Sequence, residues 1–276
     1  VKARGTTLGA DNGIGMASAL AILGSDDIQH GPLEVLLTID EEAGMTGAFG
    51  VEPGMLDAEI LINTDSEQEG EIYMGCAGGV DAEFTVPAQW QNTASGVIAF
   101  DLSLAGLKGG HSGVNIHLGR GNANKLLARF LADHATALEL AIASFSGGSL
   151  RNAIPREATV SLTVPSAKLA QLQQTVTEFE ALLQFELAAV EPALKLSLTE
   201  VLTPTQVLTA ATQQTLIHLL NLCPNGVMRM SDEVEGVTET SLNMGVISTK
   251  EHSIQVLCLI RSLIDSGRQQ VESMLS

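Results

Sequence analysis

Three acidic segments, each following small or apolar residues, supply carboxylates at positions suited to metal chemistry. Asp11 lies in GADNGIG, Glu41 and Glu42 follow LEVLLTID, and Asp65 lies in LINTDSE. In an open α/β sheet the carboxyl ends of the strands border one crevice, and ligands bind there. Four carboxylates in one crevice repel one another unless a cation compensates their charge. The pattern therefore predicts a metal site, and a pair of metal ions fits it better than one.

The adjacent acids at positions 40–42 are the most informative of these segments. Neighbouring side chains point in different directions, so one glutamate can bind metal while the other acts as a general base on activated water. The alternative is a solvated acidic loop, which fits poorly with the aliphatic segment before the acids and the glycine-rich AGMTG after them. Asp11, considered alone, is slightly better explained as the N-cap of a following helix.

Three further residues are candidates for contacts with a substrate. His111 lies in GGHSG, where the flanking glycines give a ligand access to the imidazole, which can donate a hydrogen bond to a developing oxyanion. Asn152 and Arg261 are candidates for binding a substrate carboxylate, Arg261 through its planar guanidinium. By spacing alone, an ordinary turn or surface contact is the better explanation of both, and a lone histidine is more often structural than functional.

The elements that must position the carboxylates follow an α/β pattern. GIGMASALAIL (13–23) predicts a buried helix, and the aliphatic segments 33–39 and 59–65 predict strands covered on both faces. MTGAFGV predicts a short helix between these strands. Alternating helices and strands with short connections are typical of a mostly parallel sheet. We therefore expect residues 1–90 to form part of an α/β domain.

The remainder, residues 91–276, predicts a second, α+β domain. Its strand segments alternate with period two, which is typical of antiparallel strands with one wet face. NANKLLARFLADHATAL and AKLAQLQQTVTEFEALLQFEL predict amphipathic helices, which gives a βαββαβ layout. SLRNAIPREATVSLTV and SLNMGVISTKEHSIQVL both place an asparagine after Ser-Leu, then two strands and a helix. We interpret this as a weak duplication with halves of roughly 91–205 and 206–276, chance resemblance being the alternative.

Composition excludes several classes of partner. The formal net charge of −18 argues against nucleic acid, which requires a basic surface, and against anionic membranes. No apolar run has the length of a membrane span, and the first residues contain no hydrophobic signal core. Cys76, Cys223 and Cys258 form no CxxC motif, so buried, reduced thiols in a cytoplasmic protein are expected.

Six collinear segments resemble the aminoacyl-histidine (Xaa-His) dipeptidases, of the aminoacylase/carboxypeptidase-like superfamily of co-catalytic zinc peptidases. They are GADNGIG, TIDEEAGMTGA, NTDSEQEGEIYMGCAGG, LKGGHSGVNIHLGRGNANKLLAR, SLRNAIPREA and VEGVTETSLNMGVI. The resemblance extends over almost the whole chain. It implies a zinc-bearing α/β domain interrupted by a lid domain, which is enlarged in this branch of the superfamily.

The resemblance also implies a role for each candidate carboxylate. Asp11 matches the ligand that bridges two zinc ions, Glu42 a ligand of one zinc and Asp65 a ligand of the other. Glu41 matches the general base. Other divalent metals, such as cobalt or manganese, are alternatives to zinc.

For the lid domain, the resemblance implies substrate contacts. His111 matches a histidine that helps to stabilise the tetrahedral intermediate. Asn152 and Arg261 match residues that orient the C-terminal carboxylate of the substrate. A small dipeptide is thus the expected partner molecule, and a homodimer is compatible with the family.

Two features of the family have no counterpart in this sequence. These are the His-x-Asp segment that precedes Asp11 in the family and a later segment with a second zinc-binding histidine. The chain therefore resembles a truncated enzyme, and we expect little or no activity from these 276 residues alone. There are two alternatives to the hypothesis of a Xaa-His dipeptidase. One is a lid-centred association module with remnant metal residues, and the other is a hydrolase of other dipeptides or N-acyl amino acids.

Overall fold

The computed structural model describes residues 4, 12–66, 69–73 and 75–276, and only the backbone of residues 42 and 43. The chain divides into two compact units, Val1–Gly75 and Cys76–Ser276. This division lies earlier than the predicted boundary near residue 90. The reason is that residues Gly78–Pro87 form a strand of the second unit's sheet.

The described residues of the first unit form three helices, α1 (Gly13–Leu23), α2 (Glu41–Gly44) and α3 (Thr46–Phe49). Helix α1 begins at Asn12, whose side chain accepts the N–H of Gly15 at 2.9 Å and donates to Thr64 Oγ1 at 3.0 Å. The predicted positions of α1 and α3 are confirmed. The predicted burial of α1 is wrong, because Gly15 is the only buried residue within it and Ile14 is 79% exposed.

The two strands predicted in the first unit are not formed. Residues 33–39 and 59–65 have no regular secondary structure, and their aliphatic side chains are exposed, Leu61 by 82%. A strand requires a hydrogen-bonded neighbour, and a buried strand also requires covering layers. Neither segment pairs with a strand among the described residues of this unit, so the predicted parallel sheet is wrong for this part of the chain.

The second unit is an antiparallel sheet with helices. Eight strands form the sheet in the order β1-β12-β11-β5-β7-β3-β8, with β10 also paired to β11, while β2-β9 and β4-β6 form separate ribbons. The strands are β1 (Gly78–Pro87), β2 (Trp90–Asn92), β3 (Val97–Ala105), β4 (Gly110–His111), β5 (Ala141–Gly147), β6 (Ala153–Ile154), β7 (Ala158–Pro165), β8 (Lys195–Val201), β9 (Gln206–Leu208), β10 (Gly226–Met230), β11 (Thr238–Thr249) and β12 (Ser253–Ser262). The helices are α4 (Ala123–His134), α5 (Leu169–Glu186), α6 (Ala210–Leu222) and α7 (Asp265–Leu275).

The sequence patterns explain these elements. Along β12 every second side chain is buried, as the alternating pattern predicts. Helix α4 begins after Asn122, whose side chain accepts the N–H of Lys125, and it buries Phe130 completely. Burial of a side chain of this size stabilises the fold by about 1.5–3 kcal/mol. The imidazole of His134 packs against the rings of Phe130 and Phe179, with ring centroids 5.1 and 6.0 Å apart.

The segments compared as a duplication are not equivalent in the sheet. Strands β11 and β12 pair with each other, whereas β6 pairs with β4, and β7 pairs with β3 and β5. Asn152 therefore lies in a turn before β6, while Asn243 lies within β11. The sheet order nevertheless places β5 beside β11, with β7 and β3 on one side and β12 and β1 on the other. The two predicted halves stay a prediction.

The cysteines depart from the expectation in one case. Cys223 and Cys258 are buried free thiols, as predicted, but Cys76 is exposed. No helix among the described residues is long and apolar enough to cross a membrane.

Candidate functional site

The three residues predicted to contact the substrate lie together in the second unit. Strand β4 pairs with β6 so that His111 is opposite Ala153, and the N–H of Ser112 donates to the carbonyl of Asn152 at 2.7 Å. Arg261, on β12, places Nε 3.4 Å from Ser112 Oγ and Nη2 3.4 Å from His111 Nε2. The structure thus brings His111, Asn152 and Arg261 to one place, although 150 positions separate His111 from Arg261 in the sequence.

The glycine before His111 is required by the geometry of its loop. Gly110 has φ of +139°, and a Cβ there would lie 2.5 Å from Arg120 Nη1 and 2.7 Å from Asn115 Oδ1. The same Asn115 oxygen accepts the N–H of His111 at 3.0 Å. A larger residue at position 110 would displace the groups that hold the His111 backbone.

Both ring nitrogens of His111 lie within hydrogen-bond distance of N–H groups. Its Nδ1 accepts the backbone N–H groups of Gly113 and Val114 at 3.3 and 3.2 Å. A nitrogen that accepts carries no proton, and a neutral imidazole has one protonated nitrogen. The two contacts at Nδ1 match the tautomer with its proton on Nε2, whereas a hydrogen bond from Arg261 Nη2 to Nε2 at 3.4 Å matches the other tautomer. The Arg261 guanidinium supplies hydrogen-bond donors beside the imidazole, which suits a carbonyl or carboxylate oxygen.

The charge of Arg261 is maintained in a partly buried position. Burial lowers the pKa of Arg261 from its usual value, and the nearby Cys76 and Asp81 act in the opposite direction. Guanidinium groups remain protonated at any physiological pH, so Arg261 still carries a positive charge. Asp81 also forms an ion pair with Arg151, with 2.9 Å between Oδ1 and Nε, which places a second cation beside the Asn152 turn.

Two residues that support this site were missed by sequence reasoning. Ser112 is 1% exposed and joins Arg261 to the Asn152 backbone, as described above. Asn243, also 1% exposed, donates through Nδ2 to the carbonyls of Arg151 and Ala153, both at 2.8 Å. The available signal for Asn243 was a polar amide at a buried position of a strand, since buried amides require partners.

The predicted carboxylates belong to the first unit. Glu41 is the first residue of α2, and the residues on either side of this helix, Asp40 and Met45, have positive φ of 59° and 58°. Asp65 is exposed, and its N–H donates to Asn63 Oδ1 at 2.8 Å. Left-handed backbone is uncommon at non-glycine residues.

The predicted metal site stays a prediction. Asp11 lies outside the described residues, as does the side chain of Glu42. In the part of the chain that the structure describes, no group of three or more His, Cys, Asp or Glu residues is placed to hold a metal ion. Carboxylate oxygens bind zinc, manganese and cobalt alike, so the donor chemistry of Asp11, Glu42 and Asp65 fits a divalent cation.

Some known proteins resemble one segment of this chain, and others resemble nearly all of it. Residues 102–191 match the peptidase dimerisation domain family, and this segment includes His111 and Asn152. A crystal structure of aminoacylhistidine dipeptidase from Vibrio alginolyticus matches 99% of the chain at 61% identity with a TM-score of 0.79. The resemblance to the aminoacylhistidine dipeptidases is confirmed. The cytosol non-specific dipeptidase of Escherichia coli (strain K12) is 56% identical over 275 residues.

The similar proteins are longer than this chain. The chain spans 57% of the length of the Escherichia coli dipeptidase and 56% of the Vibrio alginolyticus structure. A shorter match, 38% identical over 71 residues, is to the uncharacterised protein YqjE of Bacillus subtilis (strain 168). The two full-chain matches are both to dipeptidases, and the fold is mixed α/β, as predicted.

Proposed function

We propose that this protein is a zinc-dependent dipeptidase that prefers Xaa-His dipeptides. The observation that carries the proposal is the arrangement of His111 and Arg261, which places the imidazole Nε2 3.4 Å from a guanidinium that carries several N–H donors. A dipeptide offers two matching acceptors, a scissile carbonyl that becomes an oxyanion and a C-terminal carboxylate. The two full-chain relatives, both named as dipeptidases, support the proposal.

Each candidate residue has one proposed role. Asp11, Glu42 and Asp65 would hold the metal ions. When bound, the metal supplies Lewis acidity that activates water and polarises the scissile carbonyl. Their donor chemistry supports these assignments, as does their position in motifs shared with the family.

Proton transfer is assigned to Glu41. It accepts a proton from the attacking water as the new C–O bond forms, and it returns that proton to the leaving amine as the C–N bond breaks. His111 donates from Nε2–H to the developing oxyanion, a role supported by the two backbone N–H groups that donate to Nδ1. Asn152 and Arg261 bind the C-terminal carboxylate, which fixes the orientation of the dipeptide.

Turnover of β-Ala-His by the native protein in the presence of zinc tests this proposal. Glu41→Gln should abolish turnover, because an amide cannot accept the water's proton, while Glu52→Gln, a neighbouring exposed glutamate, should not. Absence of zinc-dependent turnover in the wild type, or full activity of Glu41→Gln, would refute the proposal.

A broader dipeptidase is the second candidate, favoured by the name of the Escherichia coli relative, a non-specific dipeptidase. Turnover of β-Ala-His, Ala-Ala and an N-acetyl amino acid by the native protein separates the candidates. A preference for β-Ala-His supports the first, and comparable rates for both dipeptides support the second. We also propose a cytoplasmic location and a homodimer, supported respectively by that relative's name and by the match to a dimerisation domain.

A further inference from the structure

The loop that carries His111, residues 108–121, is closed at its base by one buried side chain. Glu191 is 1% exposed. Its Oε2 accepts the N–H of Lys108 at 2.8 Å, and its Oε1 accepts the N–H of Gly121 at 2.9 Å. Both ends of the His111 loop therefore hydrogen-bond to the same carboxylate.

Glu191 is itself held in place from both sides. Its N–H donates to the carbonyl of Leu187 at 2.8 Å, and its carbonyl accepts from Leu194 at 3.2 Å. Gly106, just before the loop, lies so close to this segment that a Cβ on it would approach the Ala193 carbonyl oxygen to 2.0 Å. The carboxylate therefore has little freedom to follow the loop if the loop moves.

The contacts of the Glu191 carboxylate are hydrogen bonds from backbone N–H groups. Among the residues that the structure describes, no salt bridge involves Glu191. A buried charge without a cation is costly unless hydrogen bonds satisfy it, and bonds from N–H groups to a charged acceptor are stronger than neutral ones. The two backbone amides offset that cost only while the loop keeps its observed shape.

The shape of the loop base is transmitted to His111 through Arg120 and Gly109. Arg120, adjacent to the bound Gly121, donates through Nη1 to the carbonyl of Gly109 at 2.5 Å. Gly109 follows the bound Lys108 and precedes Gly110 and His111. We propose that Glu191 is a positioning residue for His111, an inference that rests on the proposed function of His111 as an oxyanion donor.

The test is a double-mutant cycle in the native protein, with β-Ala-His as substrate. Glu191→Gln keeps the shape of the side chain but replaces one acceptor oxygen with an NH2 donor, so either Lys108 or Gly121 loses its partner. We expect kcat to fall roughly 10-fold to 100-fold, since small misplacements of a catalytic donor have effects of this order, with KM within about twofold. In a His111→Ala background the same substitution should change kcat by less than about twofold, because effects of residues that act as one unit are not additive.

Glu180→Gln is the matched control, because Glu180 Oε1 also accepts a backbone N–H, that of Leu196, at 3.0 Å. It should leave kcat unchanged. Hydrogen exchange gives a second readout, in which Glu191→Gln accelerates exchange of whichever amide, Lys108 or Gly121, has lost its acceptor. Glu191→Asp, which keeps both oxygens on a shorter side chain, should show an intermediate kcat and replaces Glu191→Gln if that variant does not fold.

The outcomes separate this inference from the proposed function. Equal loss of kcat in both backgrounds, or no loss in a folded Glu191 variant, overturns the positioning role alone. An unchanged kcat in His111→Ala overturns the proposed role of His111 and this inference with it.

Discussion

Replacing Asn243 with alanine removes the two hydrogen bonds that attach the Asn152 turn to β11. The Asn243 amide is 1% exposed and donates to the carbonyls of Arg151 and Ala153 at 2.8 Å. A hydrogen bond contributes about 1 kcal/mol net, and a buried acceptor left without a donor costs about 1–3 kcal/mol. Arg151 is exposed, so water can reach part of the turn. We therefore expect the free energy of unfolding to fall by about 2–3 kcal/mol.

Urea unfolding followed by tryptophan fluorescence measures this loss. Trp90 is the single tryptophan of the chain, and its Nε1 donates to the carbonyl of Glu251 at 2.8 Å within the second unit. Its fluorescence therefore reports unfolding of that unit. With a denaturant slope of about 2–3 kcal/mol per molar urea, the midpoint should fall by about 1 M.

Asn221→Ala removes an exposed asparagine side chain in the same unit and is the matched control. Surface substitutions of this kind change stability by less than about 0.5 kcal/mol, which corresponds to a midpoint shift of about 0.2 M. If Asn243→Ala shifted the midpoint no further than the control, the two hydrogen bonds would not hold the turn and the reasoning would be refuted.

Three further substitutions have defined outcomes. Gly110→Ala should lower kcat for β-Ala-His at least roughly 10-fold with normal circular dichroism, because the added Cβ meets the Arg120 guanidinium and φ is positive. Arg261→Lys should raise KM roughly 10-fold, since an ammonium cannot bind a carboxylate through two parallel hydrogen bonds, and an unchanged KM would contradict the carboxylate role. Lys125→Met should lower the urea midpoint by about 1 M, because Lys125 Nζ donates to three carbonyls near the end of α6, whereas Lys195→Met, at an exposed position, should not.

Local periodicity was sufficient to predict the strands and helices of the second unit, but it was not sufficient to predict the structure of the first unit. The alternation in β12 and the amphipathic pattern of α4 depend on which faces of each element are buried, and the antiparallel sheet supplies those faces within residues 76–276. The aliphatic segments 33–39 and 59–65 have the composition of strands, but a strand exists only when another backbone pairs with it. No residue within such a segment indicates where its partner is.

The residues of the candidate site also fall into two groups, those that could be predicted from the sequence and those that could not. His111 could be singled out because glycines beside a histidine form a local pattern, and Arg261 and Asn152 because their motifs resemble a family. Asn243 and Glu191 act through hydrogen bonds to backbone groups 90 and 83 positions away in the sequence. Partners so distant in the sequence produce no local sequence pattern. Any asparagine or glutamate that lies beside a buried backbone group can form such a hydrogen bond.

The centre of the sheet explains why these side chains are needed. Strands β5 and β11 share only two register pairs, Ile247 with Gly147 and Ser248 with Ser146, and β11 bulges at Gly245. The bulge admits the Asn152 turn, since a Cβ on Gly245 would lie 2.5 Å from the Arg151 Cα.

Side chains replace the hydrogen bonds that the sheet loses at this point. Thr249 Oγ1 accepts from the N–H of Phe145 at 2.8 Å and donates to its carbonyl at 3.1 Å, while Asn122 and Asn124 donate to the Met244 carbonyl at 3.1 and 3.3 Å. Buried backbone groups that lack a strand partner require another one. The hydrogen-bond ladder of the sheet is therefore interrupted beside the turn that carries Asn152. Buried asparagine side chains stabilise the sheet at this interruption. Apolar replacements of those asparagines should thus disturb the position of Asn152 before they disturb the rest of the sheet.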